Sequence, residues 1–143
     1  MRAVIDTNIL IRALIKPDGT VGPALARLAD GEYTLVYSDP LIDELLEKLA
    51  LPRIRNKYSS DDDVVEGFLQ LIALRGEHVI PHCVVQLCRD PDDDRVIEAA
   101  LDGSAEYIVS GDSDLLILDR VGDVRIIPPA RFIGILDNAG SGE

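Results

Sequence analysis

The sequence has no tryptophan, one methionine, two phenylalanines and only two cysteines among its 143 residues. Cys83 and Cys88, spaced C-x4-C, provide neither a disulfide framework nor a four-ligand zinc site. We therefore expect two free thiols. His78 and His82 have the spacing H-x3-H, but Pro81 and a β-type pattern around it keep the two imidazoles from sharing a helix face. That arrangement disfavours zinc binding.

Long hydrophobic runs are also absent. No apolar stretch reaches the roughly 20 residues that a membrane-spanning helix needs, and the opening MRAVIDTN becomes polar too early for a secretory signal peptide. These two absences predict a cytoplasmic protein. A hydrophobic content of 47% over this length is enough for one compact domain. We place that domain at residues 1–138 and a flexible polar tail at 139–143.

Positive charge is scarce, because 14 Lys and Arg stand against 26 Asp and Glu, a net charge of −12. This balance disfavours nucleic-acid binding by general phosphate neutralisation. A nucleic acid would have to be bound through a local basic patch or through bound cations. The densest basic cluster is Arg53, Arg55 and Lys57. Nine acids lie between Asp90 and Asp114, and such a concentration raises the affinity for hard divalent cations.

Short apolar runs alternate with helix-type patterns along the whole chain. This alternation predicts an α/β fold, a three-layer α/β/α sandwich around a mainly parallel, roughly five-stranded sheet. The predicted strands are residues 2–5, 33–38, 77–81, 107–109 and 124–127. The segment HCVVQLC after the third strand is compatible with either a strand or a buried connection.

Four acidic residues follow four different predicted strands. Asp6 comes directly after the first strand, and Asp112 follows the fourth. Glu44 lies on the helix after the second strand, and Asp93 begins the helix after the third. In open α/β sheets the functional crevice lies at the carboxyl ends of the strands, so these side chains should converge. Converging carboxylates repel one another unless a cation compensates. Mg²⁺ and Mn²⁺ are the natural candidates, since both prefer oxygen ligands.

Each acid has a simpler explanation when it is considered alone. Asp93, Asp94 and Asp114 are typical helix N-caps, and Glu44 is typical of a solvated helix position. Asp6 is harder to explain in this way, because a carboxylate directly after a buried strand is costly without a partner. The joint placement of the acids therefore favours a metal site. No Ser-His-Asp set, thiol-His pair or Gly-rich phosphate loop indicates a different chemistry.

With these residues in view, the chain resembles the PIN-domain ribonucleases, and specifically the toxin components of toxin-antitoxin systems (VapC-like). The similarity runs through AVIDTNILI, SDPLIDELLEKL, RDPDDDRVIEAAL, AEYIVSGDSDLL and IIPPARFIGIL. It implies a PIN fold, Mg²⁺ or Mn²⁺ bound by the acids of the family, and single-stranded RNA as the usual substrate.

The resemblance also implies roles for individual residues. The four acids of the family, which hold the metal and carry catalysis, fall on Asp6, Glu44, Asp93 and Asp112. Asp93 is preferred to Asp94 because its distance to Ala100 reproduces the family's acid-to-alanine spacing. Asp114 is a further metal ligand, and the supporting residues are Asn8, Ser110 and Asp94. The candidates for guiding RNA are Arg53, Arg55, Lys57 and Arg89.

Toxins of this kind are dimeric and are blocked by a cognate antitoxin, so we expect a homodimer and a basic inhibitory segment that reaches the acidic crevice. The alternative is a PIN-like module that binds RNA or a protein without cutting. A phosphotransfer enzyme with a strand-end aspartate needs a D-x-D pair, but Asp6 is followed by Thr7 and Asn8. A receiver domain needs a lysine after its last strand, where this chain has Pro128 and Pro129.

Overall fold

The structure, a computed structural model, describes residues 1–57 and 63–141, and these ranges contain six strands and eight helices. The strands are β1 (Arg2–Ile5), β2 (Thr34–Tyr37), β3 (Gly76–His78), β4 (Tyr107–Val109), β5 (Arg120–Val121) and β6 (Val124–Ile127). The helices are α1 (Thr7–Ile15), α2 (Gly22–Ala29), α3 (Asp39–Ala50), α4 (Pro52–Arg55), α5 (Asp63–Arg75), α6 (Pro91–Asp102), α7 (Ser113–Leu116) and α8 (Pro129–Ser141).

The strands form one sheet in the order β3-β2-β1-β4-β6-β5. All neighbouring pairs are parallel except β5 and β6, which form an antiparallel hairpin. The five predicted strands and their mainly parallel arrangement are thus confirmed. The two-residue strand β5 was not predicted. It exists because Gly122, with a φ of 58°, turns the chain back into β6.

Helices cover both faces of the sheet, and each face has its own hydrophobic core. Along β1, Ala3 and Ile5 belong to one core and Val4 to the other, because successive strand residues point to opposite faces. The first core contains buried residues of α1, α2, α3, α5 and α8. The second contains buried residues of α6 and α7. This arrangement is the predicted sandwich, and it explains why the central strands are apolar throughout.

The order of strands reverses direction between β1 and β4. From β1 the chain continues outward to β2 and β3, whereas β4 lies on the other side of β1 and leads to β6. Such a reversal leaves a crevice at the carboxyl ends of the two central strands. The residues that directly follow β1 and β4 therefore occupy the position where an α/β sheet most often binds a ligand.

The C-terminal helix α8 continues to Ser141, and so includes the first residues of the segment predicted as a tail. The last two residues, 142 and 143, lie outside the described part of the chain. None of the helices within residues 1–57 and 63–141 has the length and apolar character that crossing a membrane requires.

Candidate metal centre

Asp6 and Ser110 lie side by side because β1 and β4 are neighbouring parallel strands. The Asp6 N–H donates to the Val109 carbonyl at 2.9 Å. The Ser110 hydroxyl in turn donates to Oδ2 of Asp6 at 2.8 Å. Oδ1 of Asp6 accepts from the N–H of Asn8 at 3.4 Å, which makes Asp6 the N-cap of α1. The Asp6 carboxylate is thus buried at the strand end with a fixed orientation.

Asp112 is oriented by Ser110 and by the short helix α7. Its N–H donates to the Ser110 hydroxyl at 3.0 Å, and its Oδ1 accepts from the N–H of Asp114 at 2.9 Å. Asp112 is therefore the N-cap of α7. The simpler explanation of Asp114 as a helix cap does not hold, since Asp114 lies in the first turn of the helix. Its side chain can join a cluster with Asp112 instead.

Asp93 also takes part in the cluster because a different residue caps its helix. The N-cap of α6 is Asp90, whose Oδ1 accepts from the N–H of Asp92 at 2.9 Å. The simpler explanation of Asp93 or Asp94 as the cap of this helix therefore does not hold. Asp93 is only 8% exposed. Burial first, and then the charges of Asp112 and Asp6, raise the pKa of Asp93 to about 7.

The carboxylate oxygens of Asp93, Asp112 and Asp114 lie within 4.8 Å of one another. Beside them, burial raises the pKa of Asp6, and the charges of Glu44 and Asp112 raise it further. Both shifts favour the uncharged form of these carboxyl groups, and a bound cation would relieve the same burial and charge repulsion. A set of carboxylate oxygens without sulfur or nitrogen fits a hard divalent ion.

Glu44 lies at the rim of the cluster, where Lys48 neutralises it. Its Oε1 is 2.7 Å from the Lys48 ammonium, and its Oε2 accepts from the Thr7 hydroxyl at 3.2 Å. The ammonium also donates to Oδ1 of Asn8 at 3.2 Å. Burial alone would lower the pKa of Lys48, but Glu44 and the nearby Asp6 raise it above its ordinary value.

Lys48 and Thr7 were not predicted from the sequence to be part of this site. A signal for each exists in the sequence. Lys48 stands four residues after Glu44 on a helix, where opposite charges face each other. Thr7 directly follows Asp6, so it occupies the same strand end.

Asp94, in contrast to Asp93, is bound to the backbone of the preceding connection. Its Oδ1 accepts from the N–H groups of Leu87 and Cys88 at 3.1 and 2.9 Å. Both residues belong to the connection between β3 and α6, residues 79–90, which contains no strand or helix. The two adjacent carboxylates therefore have different roles. Asp93 joins the acid cluster, while Asp94 holds the chain that leads to α6.

Asp94 is the first member of a row of acids spaced four residues apart on α6. The next two, Glu98 and Asp102, accept from the N–H groups of Val85 at 2.9 Å and Cys83 at 3.0 Å. A connection without a neighbouring strand needs such acceptors for its backbone N–H groups. Three of the nine clustered acids therefore accept hydrogen bonds from the backbone of this connection. The ambiguous HCVVQLC segment is accordingly a connection and not a strand.

The cations predicted to guide RNA lie in three different places. Arg89 donates from its Nη2 to Oδ1 of Asp114 at 2.7 Å, and so touches the acid cluster. Arg53 and Lys57 line a cleft between α1, α3 and α4. Arg55 borders a separate hollow between α3 and α5.

Comparison with known proteins identifies the family. Residues 2–114 match the family model described as PIN domain, and this range includes every acid of the cluster. This chain belongs to the PIN domain family. An uncharacterized protein of Methanocaldococcus jannaschii is similar to this PIN domain, with 30% identity over 118 residues, which are 82% of this chain and 75% of the relative.

PIN domains are generally nucleases and use divalent metals. In this PIN domain the family match covers the sheet from β1 to β4, together with α6 and the start of α7. The elements β5, β6 and α8 follow the matched range. The acid cluster therefore lies entirely within the part of the chain that defines the family.

Proposed function

We propose that this PIN domain is a divalent-metal-dependent endoribonuclease, which hydrolyses phosphodiester bonds of RNA with Mg²⁺ or Mn²⁺. The observation that carries the proposal is the convergence of Asp93, Asp112 and Asp114 at the crevice between β1 and β4. Family membership supports the nuclease class. The choice of RNA follows the resemblance to PIN-domain ribonucleases.

In this proposal Asp93, Asp112 and Asp114 hold the cation, and Asp6 and Glu44 complete the acidic site. When bound, the ion supplies Lewis-acid chemistry, which stabilises the charge that develops on the phosphate and makes a water molecule a better nucleophile.

The residues around the acids keep this site in place before substrate arrives. The Ser110 hydroxyl fixes the carboxylate of Asp6 and also accepts from the N–H of Asp112. One serine therefore fixes two acids from two neighbouring strands. Preorganisation of this kind avoids the cost of orienting charged groups during the reaction.

The test is cleavage of a circular single-stranded RNA with Mg²⁺ or Mn²⁺ by the wild-type protein, Asp6→Asn and Asp112→Asn. An endonuclease opens the circle, whereas an exonuclease has no end to attack. We expect opening by the wild type and loss of activity in both variants, because each loses one of the clustered charges. A circular single-stranded DNA of the same sequence is the matched substrate control.

A wild-type protein that leaves the circle intact contradicts the proposal. Calorimetric titration with Mn²⁺ then separates the remaining explanations. Binding of the ion without cleavage favours the alternative of a catalytically silent PIN-like module that binds RNA or a protein. If neither the wild type nor Asp112→Asn binds Mn²⁺, the metal site is wrong as well.

We further propose that the protein is the toxin of a toxin-antitoxin pair, a homodimer whose acidic crevice is blocked by a basic segment of a cognate antitoxin. The net charge of −12 supports a basic inhibitor. Expression in a bacterial host should arrest growth, and Asp112→Asn should relieve the arrest at equal protein level. Normal growth with the wild-type protein at that level would contradict the toxin role.

A further inference from the structure

We infer that the cleft between α1, α3 and α4 is a nucleotide subsite, which binds one phosphate and one base of the RNA strand beside the acid cluster. The inference rests on the proposed ribonuclease function and gives the substrate a second, separate point of attachment. The cleft has a volume of about 370 Å³. Pockets for small molecules measure roughly 300–1,000 Å³, so the cleft has room for a single nucleotide unit.

Four cations surround the cleft, namely Arg12, Lys48, Arg53 and Lys57. Arg12, Arg53 and Lys57 are exposed. Within residues 1–57 and 63–141, none of these three forms an ion pair. Their grouping around one hollow creates a local positive field that attracts an anion such as an RNA phosphate.

The floor of the cleft is apolar, and this feature favours a nucleotide over a simple anion. It consists of Ile11, Ile15, Leu51 and Ile54. Leu51 is 40% exposed, which is high for a leucine at the junction of two helices. Single-stranded nucleic acid is bound where a basic groove follows the backbone and side chains of the groove, in most cases aromatic, support the bases. In this cleft aliphatic side chains would support the base. The cleft offers both features within one hollow.

The cleft is continuous with the acid cluster through two side chains. Asn8 and Lys48 line the cleft, and the same Lys48 ammonium contacts Oε1 of Glu44 at 2.7 Å. Asn8 also donates its N–H to Oδ1 of Asp6. An RNA strand whose nucleotide occupies the cleft would therefore pass directly over the rim of the acidic site. This path lets an acidic protein hold RNA without placing phosphates against carboxylates.

The experiment compares the wild type with Arg12→Gln and with the double variant Arg53→Gln and Lys57→Gln. The control is Arg125→Gln, an exposed cation of β6 near the opposite edge of the sheet. We expect both cleft variants to raise KM for a short labelled single-stranded RNA about tenfold, with kcat changed less than about twofold. The slope of log Kd against log salt concentration should fall by about 0.7 for each phosphate that the variant no longer neutralises. The control should match the wild type.

Abasic substitutions in the RNA test the apolar floor. Removing one base at a time should weaken binding to the wild type at one position next to the cleavage site. For the Leu51→Ser variant, removal of that same base should not weaken RNA binding. Thermal unfolding and Mn²⁺ titration should be unchanged in every cleft variant, because these side chains lie outside the acid cluster.

The results distinguish the subsite from the ribonuclease proposal. Cleft variants that bind and cut RNA as the wild type does overturn the subsite and leave the ribonuclease intact. If the wild type binds RNA without cutting it and the cleft variants lose this binding, the subsite is supported and the ribonuclease proposal is overturned. A wild-type protein that neither binds nor cuts RNA overturns both, and an equal loss in Arg125→Gln overturns the subsite.

Discussion

Asp93→Asn should lower metal-dependent RNA cleavage by about 10³-fold, because Lewis-acid stabilisation is worth several kcal/mol and each 1.4 kcal/mol is about tenfold in rate. Asp94→Asn should stay within about tenfold of the wild type. The two residues are adjacent in sequence, and both are buried. Asp93 belongs to the acid cluster, whereas Asp94 accepts from the backbone of Leu87 and Cys88. The amide oxygen of an asparagine can still accept those two bonds.

Steady-state cleavage of RNA by the two variants provides the measurement, and unfolding in urea provides the control. Asp94→Ala, which removes the acceptor altogether, should lose about 1–3 kcal/mol of stability, since two N–H groups lose their partner. If Asp94→Asn loses as much activity as Asp93→Asn while its stability is unchanged, the assignment of Asp93 rather than Asp94 to the metal site is wrong.

The stability advantage of Asp93→Asn over the metal-free wild type should grow as pH rises. The pKa of Asp93 is raised to about 7 in the folded protein, against an ordinary value of 3.8. Between these values the folded state holds a proton that the unfolded chain has released. The contribution of Asp93 to the free energy of unfolding of the wild type is therefore fully present below about pH 4. It is lost as pH rises to about 7. An asparagine carries no charge and has no such loss.

Urea unfolding of both proteins in a chelator, at a series of pH values, measures this difference. Plotted against pH, the free energies of unfolding of the two proteins should separate between about pH 4 and pH 7 and run parallel above pH 7. Addition of Mn²⁺ at about 100 times its dissociation constant should stabilise the wild type by about 2.7 kcal/mol. Mn²⁺ should stabilise the Asp93→Asn variant less than the wild type. A difference in stability that is independent of pH would show that the pKa of Asp93 is not raised in the folded protein.

The sequence by itself was sufficient for the fold class and for the position of the main acids. Apolar runs of four residues separated by helix patterns predict a parallel sheet, because strands buried on both faces must be apolar throughout. Asp6 and Asp112 closely follow such runs. In a parallel sheet this position places them at the same edge. The convergence of acids from distant parts of the chain therefore follows from local patterns and one rule of topology.

Local patterns were not sufficient for the roles of neighbouring side chains. Asp93 and Asp94 are equivalent as helix-capping candidates in the sequence, yet Asp90 caps the helix, and the structure gives Asp93 and Asp94 different surroundings. Which acid faces the crevice depends on the rotation of α6 against the sheet. That rotation is set by the packing of Val96 and Ile97 in the second core, where distant parts of the chain meet.

The cleft beside the acids is likewise a product of tertiary structure. Arg12 and Arg53 are 41 positions apart and belong to different helices, so no spacing rule connects them. They meet because α1 packs against α3 over the same face of the sheet, and α4, which carries Arg53, packs against α3. The periodicity of apolar residues in the sequence indicates which side of a helix or strand is buried. The distance between two elements, and hence the grouping of their exposed charges, is decided only when the cores are packed.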